Sequence, residues 1–139
     1  MTTIDYRKAG VDGLEVFYRE ASRVDAPKVL LFHGFPSAGH MFGELMPRLA
    51  DKFYVIAADL PWFGQSGMPG RDKFNYRFDH IARVIDRITE FVSLNRFAIY
   101  VFDYVAPTGF RLVARHPKRV AAIISQNGNT YELNGYGSL

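Results

Sequence analysis

The stretch "RFAIYVFDYVAPTGFRLVARHPKRVAAIISQ", Arg96 to Gln126, decides how the chain folds. Its opening "RFAIYVF" is apolar on both alternating sides, as a strand buried on two faces must be. "APTGFRLVARH" then takes helical spacing and is stopped by Pro117. "VAAIISQ" returns to a short apolar run of strand length. Two strands joined through a helix make a parallel crossover unit. Between the first strand and the helix stands Asp103, a carboxylate placed where burial raises its free energy. It either caps the adjoining helix, an ordinary task for Asp, or carries chemistry.

Towards the N-terminus the same signals recur. "TIDYRKA" and "LEVFYRE" are short strand-like runs separated by "GVDG", whose glycines allow the positive φ of a tight turn, so an antiparallel hairpin is expected. "KVLLFHG" is a continuous apolar run, and "FYVIAADL" is another. Between them "GHMFGELMPRLA" reads as a helix with Phe42, Leu45 and Leu49 on its inner face, although Pro47 removes one donor. "PWFGQSGMPGRDKFNY" has the glycines and prolines of an irregular loop. Phe78 to Asn95 then forms an amphipathic helix, with Phe78, Ile81, Ala82, Ile85, Ile88 and Val92 on one face.

The resulting order is two strands, then β-α-β-α-β-α-β. It calls for an α/β fold: a mainly parallel twisted sheet of about six strands with helices on both faces, entered through the N-terminal hairpin. Residues 1–139 form one domain by size. Residues 128–139 are polar and glycine-rich, the composition expected of a flexible tail.

Composition narrows the function. Of all residues 48% are hydrophobic and 15% aromatic, which suits a globular core. Seventeen Lys and Arg against 14 Asp and Glu give a net charge of +3, with no long basic run, so no nucleic-acid partner is expected. There is no cysteine, which removes disulfides and thiolate metal sites. "MTTIDYRKAG" has no apolar core after its charges, and no stretch approaches the roughly 20 apolar residues of a membrane span. The expectation is a cytoplasmic protein without membrane contact.

In parallel sheets ligands lie beyond the carboxyl ends of the strands. Two such ends hold candidate chemistry: "HGFPSAG" and "DYVAPTG". A carboxylate at Asp103 can attack a carbon bearing a leaving group and form an ester that water later opens. That chemistry needs the nucleophile held forward on a tight strand-to-helix turn, with backbone N–H groups nearby to hold negative charge. In "HGFPSAG", Gly34 permits a sharp turn and Pro36 fixes the chain, leaving the Phe35 N–H free to point into a pocket. The same residues also suit a plain loop with Ser37 as a cap. A serine nucleophile is disfavoured, because "GQSGM" around Ser66 has Met68 where the second glycine of G-x-S-x-G belongs. His33, His40, His80 and His116 contain no i, i+4 pair, so neither metal nor other cofactor is expected, and His80 and His116 read as solvated helix residues.

Together "LLFHGFPSAGHMF", "VIAADLPWFGQS", "VFDYVAPTGFRLVARHPKRV" and "IISQNG" resemble the N-terminal half of the α/β-hydrolase superfamily, in its aspartate-nucleophile branch of epoxide hydrolases and haloalkane dehalogenases. The resemblance implies a strand order 1-2-4-3-5-6, truncated from the usual eight strands. It implies Asp103 as nucleophile and the backbone N–H groups of Phe35 and Tyr104 as the oxyanion or leaving-group cradle. It also implies His33 as a structural turn histidine, and a small apolar substrate in the parent family. Two residues depart from the family pattern. Trp62 stands where D-x-P-G-x-G-x-S has glycine, and Val105 stands where glycine follows the nucleophile by two. The family's catalytic acid and histidine follow later strands, and no histidine follows His116 in these 139 residues. Two functions are therefore expected. One is a hydrolase-type protein with weak or absent turnover; the other is a non-catalytic, truncated or engineered scaffold that self-associates, most simply as a homodimer.

Overall fold

The computed structural model describes residues 3–21, 25–34, 37–61, 63–68, 78–103 and 106–127. The hairpin pairs β1 (Ile4–Val11) with β2 (Leu14–Ala21), from Ile4 opposite Ala21 to Val11 opposite Leu14. Its two-residue turn places Asp12 at φ +50° and Gly13 at φ +79°, the doubly left-handed geometry that an Asp-Gly pair favours. Gly10, the other glycine of the predicted turn, lies within β1 opposite Glu15.

β3 (Lys28–Phe32), β4 (Tyr54–Ala58), β5 (Phe97–Phe102) and β6 (Val120–Gln126) complete a sheet ordered β1-β2-β4-β3-β5-β6. β2 meets β4 antiparallel, and β4, β3, β5 and β6 are mutually parallel. Order and direction are those expected. β3 and β4 are the central strands and are buried almost throughout, as their unbroken apolar runs require.

Two cores form, one on each face. The larger lies under α2 (Phe78–Phe91) and α3 (Ala106–Arg115) and contains Leu30, Phe32, Ile56, Ile85, Ile88, Ile99 and Leu112. Ile81, Ala82, Ile85 and Ile88 face inward as expected, joined by Val84. Each such large aliphatic side chain contributes about 1.5–3 kcal/mol by leaving water. The helix ends at Phe91, short of Asn95. Ser93 turns left-handed at φ +57°, its N–H bonds the Glu90 carbonyl, and the Leu94 N–H reaches back to the Thr89 carbonyl. Those two bonds satisfy terminal carbonyls in the pattern that stops helices, here without glycine.

The smaller core gathers Val29, Leu31, Val55 and Ala57 beneath Phe42, Met46 and Ala50. The expected single helix is instead a 3₁₀ turn, Gly39–Phe42, followed by a short α1, Leu45–Leu49. The break shifts the helical phase, so Met46 is fully buried and Leu45, expected inside, is exposed. Pro47 fits because it stands in the first turn, where backbone N–H groups have no intrahelical acceptor to lose. His116 is a second correction. It is half-buried, and its Nε2 lies 2.8 Å from Asp86 Oδ2. Arg119 joins the same carboxylate at 3.2 Å and donates to Thr89 Oγ1 at 2.9 Å. The cluster ties α2 to the turn between α3 and β6.

Candidate active site

β5 delivers Asp103 to the carboxyl end of the sheet, and α3 begins at Ala106. Asp103 is half-exposed and takes φ +53°, the left-handed region that side chains other than glycine seldom occupy. Asp12 and Ser93 take positive φ in a hairpin turn and a helix stop. At Asp103 the same geometry occurs between the end of β5 and the start of α3. A helix N-cap has extended backbone instead.

The end of β3 runs alongside. A Cβ placed on Gly34 would lie 2.5 Å from Cδ1 of Phe102 and 3.4 Å from the Asp103 Cβ. Gly34 is therefore required by space and not by φ, which revises the reason for its presence. It is the feature that lets the two strand ends approach.

His33 is fully buried beside it. Its Nε2 accepts the Leu60 N–H at 3.0 Å, which fixes the proton on Nδ1, and Nδ1 lies 3.1 Å from the Gly34 carbonyl. The ring meets Phe63 edge-on with centroids 5.1 Å apart. Burial lowers its pKa below 6.5 more than the Gly34 carbonyl and Asp59 raise it. His33 is a neutral crosslink between two loops, in keeping with a structural role.

Asp59, the aspartate that opens "DLPWFGQS", is the polar centre of this region. It is wholly buried. Its Oδ1 accepts the Gly39 N–H at 2.7 Å and Arg19 Nη1 at 3.0 Å, and its Oδ2 accepts the Gln65 N–H at 2.9 Å. Ser66 Oγ donates to the Asp59 carbonyl at 2.6 Å and accepts the Phe17 N–H at 2.8 Å. That task explains Ser66 without nucleophilic chemistry. Gly64 at φ +53° passes so close that a Cβ there would lie 2.1 Å from Asp59 Oδ2. One carboxylate thus pins the loops after β3 and β4 to the hairpin.

The predicted residues Phe35, Tyr104, Trp62 and Val105 lie outside the described residues. Two surface clefts, of about 540 and 590 Å³, are lined by residues of the hairpin, Tyr54 of β4, α2 with Val92 just after it, and Arg115 of α3, and neither includes Asp103.

A family model described as "alpha/beta hydrolase fold" matches residues 27–135. The chain belongs to that family. It is 46% identical over 121 residues to an uncharacterized hydrolase of Saccharomyces cerevisiae, covering 87% of this chain and 41% of the relative. A haloalkane dehalogenase of Bradyrhizobium diazoefficiens is 36% identical over 121 residues, covering 86% of this chain and 38% of that one. Among solved structures, a haloalkane dehalogenase from Bradyrhizobium elkani superposes with a TM-score of 0.84 at 31% identity, over 90% of this chain and 42% of the other. A Pseudomonas aeruginosa protein put forward as an epoxide hydrolase gives 0.76 at 30% identity, over 88% and 40%. This α/β-hydrolase chain spans about 40% of the length of such relatives and corresponds to their N-terminal portion. The Asp59 centre had one legible sign, the aspartate opening "DLPWFGQS" directly after a buried strand.

Proposed function

We propose that this chain carries the nucleophile half of an aspartate-dependent hydrolase acting on small apolar alkyl halides or epoxides. The supporting observation is Asp103 at φ +53° between β5 and α3, with Gly34 making room beside it. A carboxylate oxygen attacks the electrophilic carbon as the carbon–halogen bond breaks and halide leaves. With an epoxide the ring C–O bond breaks, and the alkoxide takes a proton from water. Either route leaves an ester on Asp103. Opening that ester needs an activated water, and positioned general-base help is worth about 10²–10⁴-fold. Among the described residues His33 is occupied on both nitrogens and does not supply that base. Our reading for residues 1–139 is weak or absent turnover, with an ester that persists.

The test is intact-mass spectrometry after prolonged exposure to a reactive epoxide and to an alkyl bromide. The expected result is one stable adduct that maps to Asp103 and is missing in Asp103→Asn. An unmodified chain removes the nucleophile assignment.

A further inference from the structure

β2 is tied to the loop that follows β4 by its backbone and by a buried side chain. The Asp59 N–H donates to the Phe17 carbonyl at 2.9 Å, and the Gly67 N–H to the Glu15 carbonyl at 2.7 Å. Arg19 adds the ion pair with Asp59 and is itself buried. Its guanidinium lies over two rings of the hairpin, 4.9 Å from the Phe17 centroid and 5.7 Å from that of Tyr6. The loop after β3 rests on this pair. A Cβ on Gly39 would lie 2.8 Å from Arg19 Nη1 and 2.9 Å from Asp59 Oδ1, so the backbone there packs directly against both partners.

We propose that Arg19 is a positioning residue for the chemistry of Asp103, acting through Asp59 on the loop after β3. The inference rests on Asp103 being the nucleophile. Asp59 Oδ1 holds the Gly39 N–H at the far end of that loop. At the near end the Gly34 carbonyl accepts the Ser37 N–H at 2.9 Å and faces Nδ1 of His33, whose Nε2 holds the Leu60 N–H. Leu60 follows Asp59 directly, so both ends of residues 34–39 are referred to the same point of the chain. Gly34 is also the residue packed against Phe102 and Asp103. A shift of Asp59 therefore reaches the space beside the nucleophile without any contact between Arg19 and the substrate.

Arginine suits this post better than lysine. Its flat guanidinium stacks on rings and bonds a carboxylate at once, whereas an ammonium is a compact, strongly hydrated charge. Removing the cation leaves a buried carboxylate without compensation. Asp59 then turns towards water, and its bonds to Gly39 and Gln65 are lost or lengthened. A misplacement of about 1 Å near reacting groups can cost about 10²-fold in rate.

Ester formation on Asp103 is followed by intact-mass spectrometry against alkyl bromide concentration in the unaltered chain, Arg19→Lys and Arg19→Met. Circular dichroism establishes that each chain is folded. Arg19→Met should lower the maximal rate by about 10-fold or more and leave the half-saturating concentration unchanged. Arg19→Lys should recover part of that loss. Amide exchange supplies a second readout: Gly39 and Gln65 should quicken in Arg19→Met by a larger factor than Ile85 in α2. Equal maximal rates in the unaltered and variant chains overturn the inference and leave Asp103 as nucleophile. No ester in the unaltered chain removes the nucleophile, and the inference falls with it. A uniform rise in exchange at all three amides makes Arg19 merely structural and overturns the inference too. If Arg19→Met does not fold, Arg19→Lys decides, and an undiminished maximal rate there overturns the inference.

Discussion

The ring of Phe102 fills the space that a side chain at residue 34 would need, with Cδ1 only 2.5 Å from a Cβ built on Gly34. Phe102 immediately precedes Asp103, so a clash there is felt at the candidate nucleophile. Gly34→Ala should destabilise the fold by about 1–3 kcal/mol, the usual result of overpacking. Phe102→Leu added to Gly34→Ala should recover part of the loss, because the offending ring atoms are gone. Urea unfolding of the three variants decides the matter. An unchanged midpoint for Gly34→Ala would show that the strand ends have slack.

Arg19 and Asp59 form a buried ion pair at 3.0 Å, with the guanidinium carbon 4.9 Å from the Phe17 ring centroid. Arg19→Met leaves the carboxylate buried without its cation and should destabilise by about 3–5 kcal/mol. Asp59→Asn turns an acceptor into a donor facing either the Gly39 or the Gln65 N–H, and should lose about 1–3 kcal/mol. Combining the two should hurt less than the sum, since neither charge remains. Strict additivity in a double-mutant cycle would mean that the pair is not coupled.

Periodicity carries far in this chain, and its limits are physical. The hairpin, the central strands and α2 are legible because each is a long run of one period, and the order of strands comes with the family resemblance. Spacing misphases the helix holding Met46 because the 3₁₀ turn at Gly39–Phe42 rotates α1 relative to a continuous helix, and spacing cannot register that rotation. Asp59 shows in the sequence only as the aspartate opening "DLPWFGQS", and its partners are not legible because Arg19, Gly39 and Gln65 come together only in the fold. His116 is misread for the same reason, since Asp86 belongs to another helix. The position of Asp103 between strand and helix is legible, but its left-handed backbone is a property of the turn and not of the residue.

His33 is held neutral by burial, with its pKa lowered from 6.5. In the unfolded chain it binds a proton near that value, while in the folded chain it does so only at lower pH. Stability is therefore undiminished above about pH 6.5 and falls as the pH drops from there to the folded-state pKa, because the unfolded state binds more protons in that window. Unfolding free energies should be nearly equal at pH 7.5 and 6.5 and clearly lower at pH 5.5. His33→Gln should be less stable overall yet show a flatter slope. An equally steep slope in that variant would place the acid sensitivity elsewhere.

Thr108 Oγ1 in α3 is buried with no hydrogen-bond partner among the described residues. An unsatisfied buried hydroxyl costs about 1–3 kcal/mol in protein interiors. Thr108→Val keeps the shape and removes the hydroxyl, so it should raise stability by about 1 kcal/mol. Thr108→Ser keeps the hydroxyl and loses a methyl, and should lower it. If valine proves less stable than threonine, the hydroxyl has a partner such as a bound water.

Asp103 at φ +53° should report its own strain. Left-handed backbone costs side-chain-bearing residues about 1–2 kcal/mol, and Asp somewhat less than most because its carboxylate can bond locally. Glycine escapes that strain, although its greater freedom in the unfolded state offsets up to about 1 kcal/mol. Asp103→Gly should thus be as stable as the parent chain or slightly more so, Asp103→Ala less stable by about 1 kcal/mol, and Asp103→Val less stable again through its branched Cβ. A simple helix cap gives a different sign, because replacing a capping Asp with glycine removes a hydrogen bond and lowers stability by a few tenths of a kcal/mol. All three variants should lose any adduct formed by the parent. The comparison that matters is Asp103→Gly against the unaltered chain. A clear drop in its unfolding midpoint would mean that Asp103 stabilises the fold as a cap, and that its position on the turn is not strain held for chemistry.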